Sequence, residues 1–388
     1  MPRRAATIRL AACLAVVLAA AGCAAAPATA PPAPPPVVRV SPPLGAERAR
    51  PDLGLVVRAQ GGPLHEVVAH TGGVPVRGSL DATRTVWRSE RTLRPGAEYE
   101  VTVTAAGRTV AAGRFRTRPA ARALRMAATA PLPGETVGVG MPVILDFDSP
   151  VRDKAAVERA LLVTAERPVE GAWRWVGDQR VIYRTRRFWP ARQQVTVTAR
   201  LAGVRSAPGV HGTTDRTFTF TVGREQISEI DTRTHRMVVR RDGRAIRQIP
   251  ISAGKATTRE YTTTSGIHLT MEKGHPVRMV SPGRQAGDPE YYDVMIDHAV
   301  RISGSGEYVH AKDNVWAQGR VNVSHGCVNV RPDLAAWFYA RSLRGDPVVI
   351  RGTDRPLEWD NGWGFWQLPW EKWIRGSALD NAADTTLP

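Results

Sequence analysis

The pentapeptide Val-Thr-Val-Thr-Ala occurs twice in this chain, at 101–105 and again at 195–199. Alternation of a β-branched residue with threonine has a period of two, so every second side chain falls on one face of an extended chain. Each copy is therefore expected to be a half-buried strand. The settings of the two copies also match. "LRPGAEYEVTVTA" (93–105) and "FWPARQQVTVTA" (188–199) each contain a proline before the strand, and a closing strand follows each, "GRFRT" or "TFTFTV". A strand repeated with its turn and its closing strand implies two related modules, 41–118 and 119–223. Runs such as "LGLVVRA" and "TVWRSE" are strand-like and none keeps a helical period, so both modules are expected to be small antiparallel sandwiches. The second adds a short helix at 153–162 and a hairpin in "AWRWVGDQRVIYRT". Neither module holds a clustered set of acids, histidines or cysteines, which leaves them a spacing or docking role.

The Pro-Gly turn leading to Tyr99 resembles the tyrosine corner of immunoglobulin-like domains. Ahead of these modules, Arg3, Arg4 and Arg9 accompany an uncharged stretch from 10 to 21. A basic start followed by a short apolar run is the pattern of a secretory signal, too short to span a bilayer comfortably. The "LAAAGC" that ends it resembles the lipobox of bacterial lipoproteins. That resemblance implies removal of residues 1–22, Cys13 included, and acylation of Cys23. Cleavage slightly further on, near "AAAPATA", is the alternative. Residues 23–40, rich in Pro and Ala, are expected to form a stiff spacer. The expected location is outside the cytoplasm, lipid-anchored to the outer face of the membrane.

The formal net charge of +17 does not carry a nucleic-acid reading. Only Lys154, Lys255, Lys273, Lys312 and Lys372 are lysines. The arginines are scattered, and no basic-aromatic pattern of a nucleic-acid binder is present. Attraction to anionic polymers of the envelope remains open to such a chain.

From 224 the chain stays strand-rich. "HRMVVRRDGRAIRQIPISAG" is expected to be a hairpin closed at Asp242-Gly243. "GIHLTME", "YDVMIDHAVRIS" and "EYVHA" follow as strands. "PDLAAWFYARSL" (332–343) starts with Pro and an early Asp, as helices do. A third domain is placed at 224–352 and a Trp-rich subdomain at 353–376, followed by a tail at 377–388. Five of the eleven tryptophans lie in that subdomain, at 359, 363, 366, 370 and 373. Gly362, Gly364 and Pro369 exclude one continuous helix, and the segment is expected to be a hydrophobic clasp on the preceding domain.

Cys327, in "VNVSHGCVNV", is left without a pairing partner once Cys13 is removed and Cys23 acylated. Exported cysteines normally pair, so a lone thiol points to chemistry more than to packing. No histidine follows it, which excludes the papain order. His325 and His310 precede it in strand-like segments, and alternation would put His325 and Cys327 on one side of the chain. The helix start just beyond the cysteine is expected to favour a thiolate. Cys327, His325 and His310 could number three zinc ligands, but there is no HExxH or CxxC element, and neither a metal nor a cofactor is expected.

"YVHAKDNVWAQGRVNVSHGCVNV" (308–330) resembles the signature of bacterial L,D-transpeptidases, the YkuD-type catalytic domain, through His310, Ser324, His325, Gly326, Cys327 and Asn329. The lipoprotein-like start and paired sandwich modules resemble the mycobacterial-type members. The fold class implied is mainly β: two immunoglobulin-like sandwiches, a mostly β catalytic domain with a short helix after the cysteine, and the clasp. The resemblance further implies that Cys327 forms a thioester with a peptidoglycan stem tetrapeptide donor and that a diaminopimelate amine of a neighbouring stem resolves it to a 3→3 cross-link. It makes His310 the general base, oriented by the carbonyl of Ala311, and gives His325 a shaping role. Tyr292 and the N–H groups of Gly326 and Cys327 would hold the oxyanion, and Met279 would contact substrate. Arg331 stands where a capping Ser is usual. An L,D-carboxypeptidase with the same thiol, or a non-catalytic wall-binding lipoprotein, are the alternatives.

Overall fold

The structure is a computed structural model that describes residues 36–379 and 383–384. The leader, Cys23 and most of the Pro/Ala spacer lie outside the described residues. The first strand, Val37–Ser41, already pairs with Val56–Gln60, so the sandwich begins inside the segment expected as linker.

Both Val-Thr-Val-Thr-Ala copies take the same place. In the first module, Glu98–Ala105 lies between Glu66–Thr71 and Arg108–Arg116. Tyr99, Val101 and Val103 turn inward against Leu55, Val57, Trp87 and Phe115 on the facing layer and its neighbours. The Tyr99 hydroxyl accepts the Arg94 N–H at 2.6 Å, closing the corner that the turn predicts. In the second module, Gln193–Ala199 lies between Leu161–Ala165 and Arg216–Val222. Gln193 replaces the tyrosine there: its amide donates to Pro190 O at 3.0 Å and accepts from the Arg167 N–H at 2.9 Å. The opposite sheet includes the hairpin Glu170–Val176 and Arg180–Thr185.

The helix expected at 153–162 is shorter, Lys154–Glu158, with Asp153 accepting the Ala156 N–H at 3.1 Å. Leu161 and Leu162 leave it because they pair with Ala199 and Thr198 of the repeated strand. A ladder partner outweighs two further residues of helix propensity.

The third module is built on a nine-stranded mixed sheet. Its order is Gly266–Leu269, Pro347–Arg351, Gln226–Asp231, Arg236–Arg241, Arg244–Ser252, Val328–Val330, Tyr308–Ala311, Ala299–Arg301 and Lys273–Gly274. Asp242 and Gly243 both take positive φ, 51° and 76°, as the two-residue hairpin turn requires. The helix Pro332–Arg341 covers the sheet with Leu334, Ala335 and Phe338. Its Arg331 side chain does not cap it but pairs with Asp333 at 2.5 and 2.8 Å.

The tryptophan segment binds the second sandwich as well as the catalytic module, so the expectation of a clasp on the preceding domain alone is corrected. Trp373 is fully buried among Ile144, Ala172, Ile182 and Phe365, and its Nε1 donates to Ala172 O at 3.0 Å. Buried Arg184 lies under Trp366, Trp370 and Trp373, 4.9, 5.4 and 4.8 Å from the ring centres. Its Nη1 donates to Phe365 O at 2.8 Å. Burial, with Arg174 nearby, pushes its guanidinium down to about 10. Toward the catalytic module, Gln367 donates to Ile267 O at 2.9 Å. Gly138 and Gly140 complete the junction: a Cβ on Gly138 would stand 2.3 Å from the Asp346 amide nitrogen, and one on Gly140 2.5 Å from Leu269. Only glycine lets those backbones meet.

Candidate active site

Two short parallel strands, Tyr308–Ala311 and Val328–Val330, set the site, with His310 opposite Asn329. The residues before Cys327 are not extended. Ser324 bridges to Gly254, and the chain then bends through Gly326 at φ 127°. The Ser324 hydroxyl donates to Cys327 O at 2.5 Å and accepts the Gly326 N–H at 3.1 Å, so it ties the bend to itself. Thr263 Oγ1 donates to Gly326 O at 2.7 Å while accepting the Gly254 N–H at 2.8 Å. A Cβ at Gly254 would stand 2.3 Å from Tyr261 O, so this crossing admits no side chain. The alternation that would have put His325 and Cys327 on one side therefore does not operate; the bend aims them separately.

Cys327 is a free cysteine and half-buried. Its Sγ lies 3.7 Å from Gly306 O. Burial pushes the thiol up to about 12; the Tyr308 N–H opposes this and the Glu307 carboxylate adds to it. The expected thiolate is thus corrected. Val328–Val330 separates Cys327 from the helix at Pro332, and desolvation of a charged sulfur outweighs a dipole that falls off within a turn.

His310 is buried, and its Nδ1 lies 2.8 Å from Ala311 O. A carbonyl only accepts, so Nδ1 carries the proton and Nε2 keeps its lone pair. Burial lowers the ring to about 4, against the Ala311 bond and with Lys312 assisting. At rest both the thiol and the imidazole are neutral, and the two groups line one cavity.

Over these groups lies a two-stranded hairpin, Val277–Val280 with Asp293–Ile296, in which Met279 faces Val294. Its loop is closed by the Tyr292 N–H donating to Ser281 Oγ at 2.6 Å and the Ser281 N–H to Tyr292 O at 3.0 Å. Burial raises the Tyr292 phenol, and a charge on Cys327 would raise it further. Two cavities meet beneath this hairpin, both lined by Met279, Tyr292, His325 and Cys327. The outer, about 420 Å³, adds Glu260, Tyr261, Arg284, Glu290 and Arg355. The smaller, named inner for its place beside His310, is about 210 Å³ and adds Val294, Ile296, His310, Lys312, Asn314, Val323, Ser324 and Asn329. All the site residues expected from the sequence in this module line one or both cavities except Ala311, whose carbonyl meets His310 Nδ1.

His325 is engaged elsewhere: its Nε2 lies 2.6 Å from Glu290 Oε2, and its ring meets Tyr261 edge-on at 4.8 Å. Lys255 holds the other Glu290 oxygen at 2.7 Å, and the bonds from Lys255 and His325 pull that carboxyl down to about 2. Among the described residues no three His, Cys, Asp or Glu side chains are grouped to hold a metal ion.

Sequence reasoning missed the support behind the thiol. The buried Glu307 carboxylate accepts the Thr264 N–H at 2.7 Å and the Thr264 hydroxyl at 2.6 Å, and that hydroxyl lies 2.8 Å from His268 Nε2. Thr263 holding Gly326 and Thr264 holding Glu307 brace both sides of the sulfur. The signal available was one acid directly ahead of the apolar run "YVHA". In Glu307→Gln the like charge beside the sulfur is removed, and the thiol is expected to titrate at lower pH. The rate of iodoacetamide alkylation against pH checks this; an unmoved or raised midpoint contradicts it.

A model of the bacterial Ig domain matches residues 46–205, and one of the L,D-transpeptidase catalytic domain matches 225–350. The chain is 36% identical over 327 residues to L,D-transpeptidase 5 of Mycobacterium tuberculosis, spanning 80% of this chain and 70% of that protein. It is 35% identical over 342 residues to L,D-transpeptidase 2 of the same species, spanning 86% and 83%. Among solved structures, an LD transpeptidase in complex with imipenem matches with a TM-score of 0.51 at 32% identity, covering 58% of this chain and 98% of that one.

Proposed function

The chain belongs to the L,D-transpeptidase family, whose characteristic activity is 3→3 cross-linking of peptidoglycan stems, and from that premise we propose how its own residues carry the reaction. The observation that carries the proposal is that Cys327 lines both cavities and shares the smaller one with His310, whose Nε2 is left free to accept a proton.

The donor stem occupies the larger outer cavity. As Sγ attacks the carbonyl of the bond to the terminal D-Ala, its proton passes to His310 Nε2, so the thiolate forms only in the reacting complex. The Gly326 N–H, expected from the sequence as an oxyanion donor, is taken by Ser324 Oγ, which leaves the Cys327 N–H and the Tyr292 hydroxyl to meet the developing oxyanion. The C–N bond breaks, the departing amine takes the proton from His310, and a thioester remains on Cys327. The diaminopimelate amine enters by the inner cavity, where His310 takes its proton. Its attack forms the new amide, and the sulfur leaves to be reprotonated. Ser324 holds the bend rigid, while His325, held by Glu290, shapes the boundary between the cavities with Met279. Val294, Ile296 and Val323 supply apolar area beside Lys312 and Asn314, on which the methylene chain carrying the acceptor amine packs; water gains nothing from that surface, which favours transfer over L,D-carboxypeptidase trimming.

The experiment is to supply purified enzyme with a disaccharide-tetrapeptide and analyse the products by mass. Cross-linked dimer with release of D-Ala is expected; tripeptide alone would replace transfer by hydrolysis. A carbapenem should add one drug mass within residues 321–331, and an unmodified thiol contradicts the nucleophile assignment.

We also propose that the protein is exported and anchored through an acylated Cys23, on the strength of the leader and the lipobox-like "LAAAGC". Wild-type protein should sediment with membranes and Cys23→Ala should be released. Equal partitioning would refute the anchor.

A further inference from the structure

The first two sandwiches meet along a short ridge, where residues 90–94 of the first lie against 200–215 of the second. Thr92 Oγ1 donates to Ala202 O at 2.7 Å, and Arg91 Nη2 donates to Asp215 Oδ1 at 2.7 Å. A Cβ on Gly203 would stand 2.1 Å from Leu93 O, so the two backbones meet closely there. Two cavities, of about 300 and 510 Å³, lie at this ridge, and Glu90, Arg91, Thr92 and Arg200 line both. They form one groove across the junction.

The groove gathers cations that are far apart in the sequence. Arg77 and Arg94 line the smaller cavity, Arg159 and Arg205 the larger. Arg91 is engaged by Asp215, and Arg94 lends its charge to the same carboxylate. Arg77, Arg159, Arg200 and Arg205 have neither an ion pair nor a side-chain hydrogen bond among the described residues. The acids, in contrast, are mostly occupied. Asp52 holds Arg50 at 2.6 Å, Asp215 holds Arg91, and Asp153 accepts the Ala156 N–H at 3.1 Å. Glu90 is the carboxylate of the groove that has no partner among the described residues. Free guanidinium groups therefore outnumber free carboxylates four to one.

We propose that this groove binds a strand of an anionic envelope polysaccharide, one that bears phosphate or carboxylate groups along its length. A guanidinium fork takes two oxygens of either anion. Cations contributed by two modules and spread over two joined cavities suit a charge repeated along a polymer. A single small anion would engage only part of them, and the flat face of a bilayer would not enter a groove between modules. Binding there would hold the wall beside the enzyme at a place separate from Cys327. The inference presupposes the export proposed above, and it is independent of the reaction at the thiol.

The test is isothermal titration of the purified protein with three soluble polymers: poly(glycerol phosphate), polygalacturonate and uncharged dextran. At least one anionic polymer should bind, more weakly as salt is raised, and dextran should not. The tighter of the two identifies the anion. Arg200→Gln combined with Arg205→Gln should weaken binding by about tenfold or more. Neither side chain has a partner to lose, so the thermal melt should not move. Glu90→Gln should tighten binding, a gain that misfolding cannot produce. Arg233→Gln combined with Arg236→Gln removes the same charge from exposed positions on the catalytic module and should change binding by less than about twofold. Absence of binding to both anionic polymers overturns the inference. Equal losses in the groove pair and the control pair overturn it too, since they would reduce the attraction to diffuse net charge.

Discussion

Replacing Cys327 with Ala should abolish both cross-linking and the thioester adduct, with turnover reduced by more than about 10³-fold, because Cys327 is the one thiol among the described residues. Folding near neutral pH should be almost untouched, since one sulfur atom in a half-buried position is lost. The pH dependence separates the two forms. The folded thiol titrates at about 12, well above its unfolded value, so the folded state retains a proton that the unfolded state releases. The stability this contributes is present below about pH 9 and declines as pH rises toward 12. Cys327→Ala should lack that alkaline decline. His310 acts at the other end: neutral when folded down to about 4, it makes the native state bind fewer protons than the unfolded one below about pH 6.5. Stability therefore falls as pH drops from about 6.5 to about 4, in wild type and in Cys327→Ala alike. Denaturant melts across pH, alongside mass analysis of the adduct, check both statements. Residual dimer formation by the Ala protein would refute the nucleophile.

The second large effect lies outside the site. Trp373→Ala should destabilise the junction of the second sandwich and the tryptophan segment by about 3–5 kcal/mol, the range for deleting a buried large aromatic side chain. The ring also covers Arg184, whose guanidinium stays ionised there on two carbonyl bonds and three indole faces. Its loss exposes that cation to a partly empty cavity. Urea unfolding followed by tryptophan fluorescence should show an early transition absent from wild type. Because the chain comprises several modules, the readout is the first transition and not a single global midpoint. A shift of less than about 1 kcal/mol would mean that the segment rests on the surface without holding it.

Much of the architecture was legible because it depends on local periodicity. The repeated Val-Thr-Val-Thr-Ala strand, the Asp242-Gly243 turn and the Pro332 helix start each encode a backbone conformation in a few neighbouring residues. The helix at 153–162 was overextended because nothing local distinguishes its last residues from a strand that finds a partner near residue 199. The clasp shows the same limit: its tryptophans announce burial, but the surface that buries them lies near 172–184.

The candidate site divides along the same line. The sequence by itself picked out the proposed nucleophile and base, since His310 and Cys327 fall in one short motif, whereas the bend through Gly326 was expected there as an extended strand. Tertiary structure alone decided that the thiol rests protonated and that His325 turns to Glu290. Protonation and pairing depend on desolvation and on charges a few ångströms away. Here those neighbours, at 255–264, 284–290, 304–308 and 355, come together only when the sheet and its hairpin close around Cys327.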